Sequence, residues 1–342
     1  MNEFGVYIGR FQPFSNAHEE AVRFALSKVN NLIIVLGSAS QARTIKNPWS
    51  CQERSAMIRA CFSATENKRI EFIEAKDYLY NDNLWITAVQ TKIEAMTDGS
   101  KDVVLLGYRK DRSSFYLNLF PQWDFIDTGE FGRVDATRIR KLYFQCDLTD
   151  VQRLVPAPVF EILKSNMMQD FATPCKDFLE LQEEYKHIEN YRMMWSGSPF
   201  APTFVTVDSV VIKSGHVLVV RRRAAPGKGL IALPGGFLNQ SEKLLDGAVR
   251  ELKEETVIKL SKEELLASLR DKEVFDHPDR SLRGRTITHA FCFDLGHGQL
   301  PKVKGSDDAD KSWWCSLREI YANEERFFED HFHIILHFLH KF

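Results

Sequence analysis

FGVYIGRFQPFSNAH, residues 4–18, is the stretch that decides the fold of the N-terminal half. An apolar, β-branched run at residues 4–8 breaks at Gly9, and a turn-rich segment then delivers His18 to a helical pattern. In that pattern Ala21, Val22, Ala25, Leu26 and Val29 recur at the spacing of one helix face. A strand that ends on a glycine and feeds a helix is the repeating unit of a parallel sheet. Residues 32–36 and 103–106 are strands of the same kind that run into Gly37 and Gly107, and Ser50 with Glu53 forms a capping box opening a helix through Phe62. The expectation is an α/β fold with a doubly wound parallel sheet. In such sheets ligands bind beyond the carboxyl ends of the strands, which here carry the glycines.

The chain has 342 residues, more than one hydrophobic core usually holds, so two domains are expected. Hydrophobic residues make up 44% and charged residues 27%, the composition of a folded globular protein. Lys plus Arg (45) nearly cancels Asp plus Glu (47), leaving no global field for a nucleic-acid backbone or an acidic membrane. Phosphate binding must then be local. Cys51, Cys61, Cys146, Cys175, Cys292 and Cys315 are scattered, without Cys-x-x-Cys pairs or histidines at zinc-finger spacing, and read as reduced thiols. With no signal-like or bilayer-length apolar segment, a soluble cytoplasmic protein is expected. Homo-oligomer formation stays open.

After a helical, charged stretch from about residue 159 to 191, WSGSPFAP at residues 195–202 breaks any helix. The expected division is a domain at 1–190, a linker at 191–202 and a second domain at 203–342. The second is read as α+β, with residues 204–207 pairing with 210–212, a strand at 217–221 and a helix at 243–256. No internal repeat or low-complexity segment occurs.

His18 at the start of the first helix faces the phosphate-binding end of the sheet, where free N–H groups and the helix dipole favour anions. Alone it is weak evidence, but GRFQPFSNAH (residues 9–18) resembles the GRFQPFHxGH signature of archaeal-type nicotinamide mononucleotide adenylyltransferases, a branch of the HxGH nucleotidylyltransferases. Gly37-Ser38-Ala39, Lys46-Asn47-Pro48-Trp49 and Glu53-Arg54 match further elements of that family. The resemblance implies that Gly9, Arg10, Phe11, Ser15 and Lys46 contact substrate. It implies that Asn83 and Trp85 hold the nicotinamide ring, and that Gly107, Arg109, Lys110, Asp111, Thr137 and Arg140 bind adenine and the ATP phosphates. On spacing alone Trp85 reads equally well as a core aromatic. The family's first histidine is Ser15 here and its glycine is Ala17. Serine cannot carry positive charge, so His18, Lys46 and Arg140 are expected to carry more of the phosphate stabilisation, with His18 and Arg140 catalytic.

In the second half, Gly236, Glu242 and then Arg250-Glu251-Leu252-Lys253-Glu254-Glu255 stand at the spacing of the Nudix box, after the loop Leu233-Pro234-Gly235-Gly236. Glu251, Glu254 and Glu255 fall on one side of a helix, beside the apolar stripe of Leu245, Ala248, Val249 and Leu252. Such a carboxylate cluster suits a hard cation, Mg2+ with Mn2+ as the alternative. Glu254 and Glu255 are the catalytic candidates, and Arg250 orients the glutamates. Val257 replaces the box's glycine, so an altered helix exit is expected. Residues 275–285 resemble a segment of ADP-ribose pyrophosphatases, in which Arg280, Arg283 and Arg285 are phosphate-binding candidates, although a solvated arginine-rich loop reads as well.

The two halves together resemble the bifunctional NMN adenylyltransferase/Nudix hydrolase family: a Rossmann-like nucleotidylyltransferase domain followed by an α+β Nudix domain. That implies NAD and pyrophosphate from ATP and nicotinamide mononucleotide, and AMP and ribose 5-phosphate from ADP-ribose. Rival readings are a non-catalytic Nudix half that senses ADP-ribose or NAD, and a transferase with another phosphate acceptor.

Overall fold

The computed structural model describes residues 2–109, 116–132, 135–168, 173 and 175–341. The chain divides into two compact units, Met1–Glu183 and Glu184–Phe342. The division falls inside a helix that runs to Met193, upstream of the breaking segment at 195–202.

Unit one contains β1 (Asn2–Gly9), α1 (Asn16–Lys28), β2 (Val29–Ala39), α2 (Cys51–Arg59), α3 (Ala64–Asn67), β3 (Ile70–Lys76), α4 (Asp82–Met96), β4 (Val103–Gly107), β5 (Asp124–Asp127), α5 (Ala136–Phe144), α6 (Leu148–Leu154), α7 (Ala157–Asn166) and the first part of α8 (Lys176–Met193). The strands pair in parallel in the order β3-β2-β1-β4-β5. The order reverses between β1 and β4, the switch point where doubly wound sheets bind ligands, and the glycine ends of those two strands meet there. Val6, Ile33, Val35 and Leu105 are at most 1% exposed, as expected of strands covered on both faces. Val29 begins β2 and does not extend α1, and α2 ends at Arg59, three residues short of Phe62. The Ser50–Glu53 capping box is formed in both directions.

Unit two adds β6 (Thr203–Lys213), β7 (His216–Arg222), β8 (Ile231–Ala232), β9 (Gly235–Phe237), α9 (Leu244–Thr256), α10 (Lys262–Ala267), β10 (Leu269–Phe275), β11 (Arg285–Asp294), β12 (Ala309–Ser316), α11 (Leu317–Ala322) and α12 (His331–Leu339). Its mixed sheet runs β10-β11-β6-β7-β12, with β8 on β7 and β9 on β6. The hairpin expected at 204–212 is instead one continuous strand, β6. Asp208 and Ser209 look like a turn in sequence, but Asp208 accepts from the Thr288 hydroxyl and Ser209 N–H donates to Pro234 O, so both stay in the ladder. The apolar face of α9, Ala248, Val249 and Leu252, packs with Val207, Val211 and Phe293. Among the described residues no helix is long and apolar enough to cross a membrane.

Candidate functional site

In unit one the loop after β1 is held from three sides. The Arg54 guanidinium, 1% exposed, donates to Arg10 O at 2.6 Å and Gly37 O at 2.7 Å, tying the ends of β1 and β2 together. Gln12 exchanges two hydrogen bonds with the Trp49 backbone, and Arg140 donates to Gln12 O at 2.7 Å. A buried cation whose donors meet only carbonyls and a thiol is costly, so Arg54 has a positioning role that its motif alone did not disclose.

Phe11 has a left-handed backbone (φ 51°) that turns its ring back under Gly9, where an added Cβ would come within 2.7 Å of Phe11 Cζ. The ring is 2% exposed and meets the His18 ring edge-on at 5.1 Å. Ser15 is 1% exposed and is the N-cap of α1, its hydroxyl accepting from His18 N–H. The Phe11 and Ser15 side chains, both expected to contact substrate, are buried against His18. Ser15 N–H donates to His18 Nδ1 at 3.1 Å, and Ser15 Oγ lies 3.0 Å from the same nitrogen. Nδ1 is thus the acceptor and the neutral ring carries its proton on Nε2. Burial against Phe11 and Phe14 pushes the His18 pKa down to about 4, so the ring is a neutral donor at pH 7.

Arg140 also donates to Thr137 Oγ1 at 3.2 Å, and burial followed by repulsion from Arg10 lowers its pKa to about 10. It keeps its charge at pH 7. Arg10 is exposed and Lys46 half-buried in the loop after β2. Beside that loop Asp77 accepts from Ser38 N–H, Ser38 Oγ and Gln41 Nε2, a network the sequence reading did not include. Asn83 is exposed in the first turn of α4; Trp85 is half-buried, with Phe120 at 5.6 Å and Tyr116 at 6.4 Å. The Trp85 ring therefore belongs at least in part to the core margin. The Arg109 guanidinium lies 4.6 Å from the Phe125 ring centre, and Lys110 and Asp111 fall outside the described residues.

In unit two Arg250 is the hub. It donates to both carboxylate oxygens of Glu242, at 2.9 and 2.6 Å, and to Glu251 and Glu254, each at 2.9 Å. That bonding holds the Glu242 pKa down at about 2. Glu255, 6% exposed, accepts from Gly235 N–H at 3.0 Å, and burial first, with Glu251 nearby, pushes its pKa up to about 8. Glu251 is also raised, mainly by burial. Among the described residues no three His, Cys, Asp or Glu side chains are gathered as a metal-holding group; Arg250 and Gly235 N–H hold the carboxylates. Their chemistry nevertheless fits a hard divalent cation: three carboxylates within one helical turn, two of them destabilised as anions by burial. Gly235 is required by close approach, since a Cβ there would lie 2.3 Å from Val207 O, whereas one at Gly236 would meet only the movable end of the Glu251 side chain, 2.6 Å away.

The loop before the box has anchors that the sequence reading missed. Leu233 N–H donates to Nδ1 of His331 at 2.8 Å, across 98 residues, and Pro234 O accepts from Ser209 N–H at 2.8 Å. Val257 adopts the left-handed conformation (φ 49°, ψ 29°) and its N–H closes α9 on Lys253 O. This corrects the expected altered exit: valine takes up the backbone that glycine would.

Arg280 is not available to a phosphate. Its side chain is 2% exposed and makes a two-point ion pair with Asp330, at 2.9 and 2.8 Å, whose side chain is fully buried. Arg283 lies over Phe237 at 5.1 Å and 3.8 Å from Glu329, and Arg285 pairs with Asp276 at 3.5 Å.

Two family models match the chain: Cytidylyltransferase-like over residues 6–115 and NUDIX domain over 202–338. A bifunctional NMN adenylyltransferase/ADP ribose pyrophosphatase from Francisella tularensis, solved with AMP and a manganese ion, is 33% identical. It superposes with a TM-score of 0.91 over 100% of this chain and 99% of that one. The chain belongs to the bifunctional NMN adenylyltransferase/ADP-ribose pyrophosphatase family. Relatives of the single halves agree with this membership. A nicotinamide/nicotinic acid mononucleotide adenylyltransferase of Acinetobacter baylyi is 36% identical over 54% of this chain and 94% of its own. An ADP-ribose pyrophosphatase of Methanocaldococcus jannaschii is 35% identical over 34% of this chain and 63% of its own.

Proposed function

We propose that the first unit transfers adenylate from ATP to nicotinamide mononucleotide, giving NAD and pyrophosphate, and that the second hydrolyses ADP-ribose to AMP and ribose 5-phosphate with Mg2+ or Mn2+. Each unit is proposed to act as its own domain in the cytoplasm on small nucleotides, without nucleic acid or membrane partners.

The observation that carries the transferase reading is a neutral His18 at the switch point, its tautomer set by Ser15, on a loop whose Gln12 carbonyl is held by Arg140. The mononucleotide 5′-phosphate attacks the α-phosphorus of ATP in line, and the bond to the departing pyrophosphate breaks. His18 donates its Nε2 proton in a hydrogen bond to a non-bridging oxygen as charge builds there. Arg10 and Arg140 repel each other, a repulsion that an intervening phosphate relieves. Lys46, Thr137 and Arg109 are proposed nucleotide contacts and Asn83 with Trp85 the nicotinamide side, while Gly9 and Gly107 keep the strand ends open.

For the hydrolase the carrying observation is the glutamate set under Arg250 and the loop at Gly236. Glu251, Glu254 and Glu255 would hold the cation, which supplies Lewis acidity at the pyrophosphate when bound. Arg250 keeps the carboxylates in register, and Gly235 N–H fixes Glu255. Assaying the purified chain with ATP and each pyridine mononucleotide, then with ADP-ribose and each metal, tests both reactions. Absence of either product refutes that half.

A further inference from the structure

The loop that carries Gly235 and Gly236 is held at its start by a side chain 98 residues away, at the first position of α12. We propose that His331 is a positioning residue of the hydrolase. Acting through Leu233-Pro234-Gly235, it sets the place of the Glu255 carboxylate and with it the affinity of unit two for its divalent cation. This rests on the hydrolase reading above.

The connection is short and has few free torsions. His331, 6% exposed, accepts from Leu233 N–H at 2.8 Å, and Gly235 N–H, two residues on, donates to Glu255 Oε2 at 3.0 Å. Pro234 between them has no N–H and a φ fixed by its ring, and its carbonyl accepts from Ser209 N–H at 2.8 Å. Gly235 lies so close to β6 that a Cβ there would stand 2.5 Å from Asp208 Oδ1. A shift of the loop at Leu233 therefore moves the donor on Glu255.

His331 is in turn built into a brace. Phe328 N–H donates to Ile231 O at 2.8 Å and Phe327 bridges Ile231 in parallel, so the chain enters α12 alongside β8. Asp330, the preceding residue, is fixed by its two-point pair with Arg280, and its carbonyl accepts from Ile334 N–H. The Phe328 ring packs on the imidazole at 5.5 Å. Burial, partly offset by Asp208 and Asp330, lowers the His331 pKa and keeps the ring neutral at pH 7. Nδ1 is the acceptor, so the proton sits on Nε2. A carboxylate could accept the same bond only by adding a buried anion beside Asp208 and Asp330; the imidazole accepts it without charge.

The test measures Mn2+ binding by the full chain, read from the electron paramagnetic resonance signal of the free ion, together with ADP-ribose hydrolysis and amide hydrogen exchange. His331→Leu removes the acceptor at similar volume and should weaken Mn2+ binding about 10- to 100-fold, the scale for losing a group that holds a metal ligand. NAD synthesis should be unchanged. His331→Asn, which keeps an acceptor near the place of Nδ1, should restore most of the affinity, whereas a role in packing alone predicts the reverse order. In a Glu255→Gln background His331→Leu should add little, because the route runs through that carboxylate. In the parent protein Mn2+ should slow exchange of the Leu233 and Gly235 amides, since coupling between two sites is reciprocal; this arm needs no variant to fold. Weakened Mn2+ binding in His331→Leu, with no ADP-ribose cleavage by the parent, would uphold the brace and refute the hydrolase reading. Cleavage by the parent with Mn2+ affinity unmoved in His331→Leu, or with those amides exchanging equally fast with and without Mn2+, would refute the brace.

Discussion

Replacing His18 by alanine removes one neutral hydrogen-bond donor aimed at the charge that develops during adenylyl transfer. Loss of a single such donor typically lowers kcat by about 100- to 1,000-fold. Because the ring is neutral and its pKa is near 4, the wild-type rate should show no His18 titration between about pH 5.5 and 8. The sign for stability follows: the folded pKa lies below the unfolded 6.5, so His18 adds no pH dependence above 6.5, and stability is lost as pH falls from there toward 4. Ser15→Ala deletes the cap hydroxyl but keeps the backbone N–H that holds Nδ1. It should cost about 1 kcal/mol of stability and lower kcat less than tenfold. Ser15→His, which restores the family pattern, must fit a ring where the serine is 1% exposed; overpacking of about 1–3 kcal/mol and no gain in rate are expected. Steady-state NAD synthesis across pH 5 to 8 on these variants, with ADP-ribose hydrolysis as the folding control, is the assay. A His18→Ala enzyme at the parental rate, or an acid limb centred near pH 6.5 that disappears in the variant, refutes the argument.

Arg280→Ala strands the buried Asp330 and should destabilise unit two by about 3–5 kcal/mol, whereas the paired change Arg280→Met with Asp330→Leu should recover most of that in urea unfolding. Val257→Gly relieves left-handed strain at a side chain already 44% exposed and should stabilise by about 1 kcal/mol in the same measurement. A fragment that starts at Lys176 should resist proteolysis better than one that starts at Pro199. Only the longer piece keeps the bonds of Glu184 to Gly227 and of Arg192 to Leu282.

The strands of unit one were legible because buried parallel strands are apolar and β-branched, and the acidic helix because its spacing is fixed by one helical face. What escaped the sequence reading was long-range pairing. Asp208 with Ser209 looks like a turn until Thr288, 80 residues away, supplies the aspartate's partner. Arg280 looks like its neighbours Arg283 and Arg285, and only Asp330 distinguishes it. His331 sits in an apolar helix with nothing local to mark it as the acceptor for Leu233. Ser15 looked like a weakened phosphate ligand because a cap whose third residue is histidine has no familiar signature; the geometry makes it the residue that sets the His18 tautomer. The helix division at Glu183 and Glu184 was hidden for the same reason, since the contacts of α8 on either side of that point are not written in its own pattern.

The central claim is two separate active sites on one chain, and the decisive measurement assays both reactions on His18→Ala and Glu255→Gln side by side. The account predicts that His18→Ala loses NAD synthesis and keeps ADP-ribose hydrolysis. Glu255→Gln should lose hydrolysis by more than about a hundredfold, beyond the effect usual for a residue that only supports a metal ligand, and keep NAD synthesis. Both activities falling together in either folded variant, or hydrolysis persisting in Glu255→Gln, would contradict it.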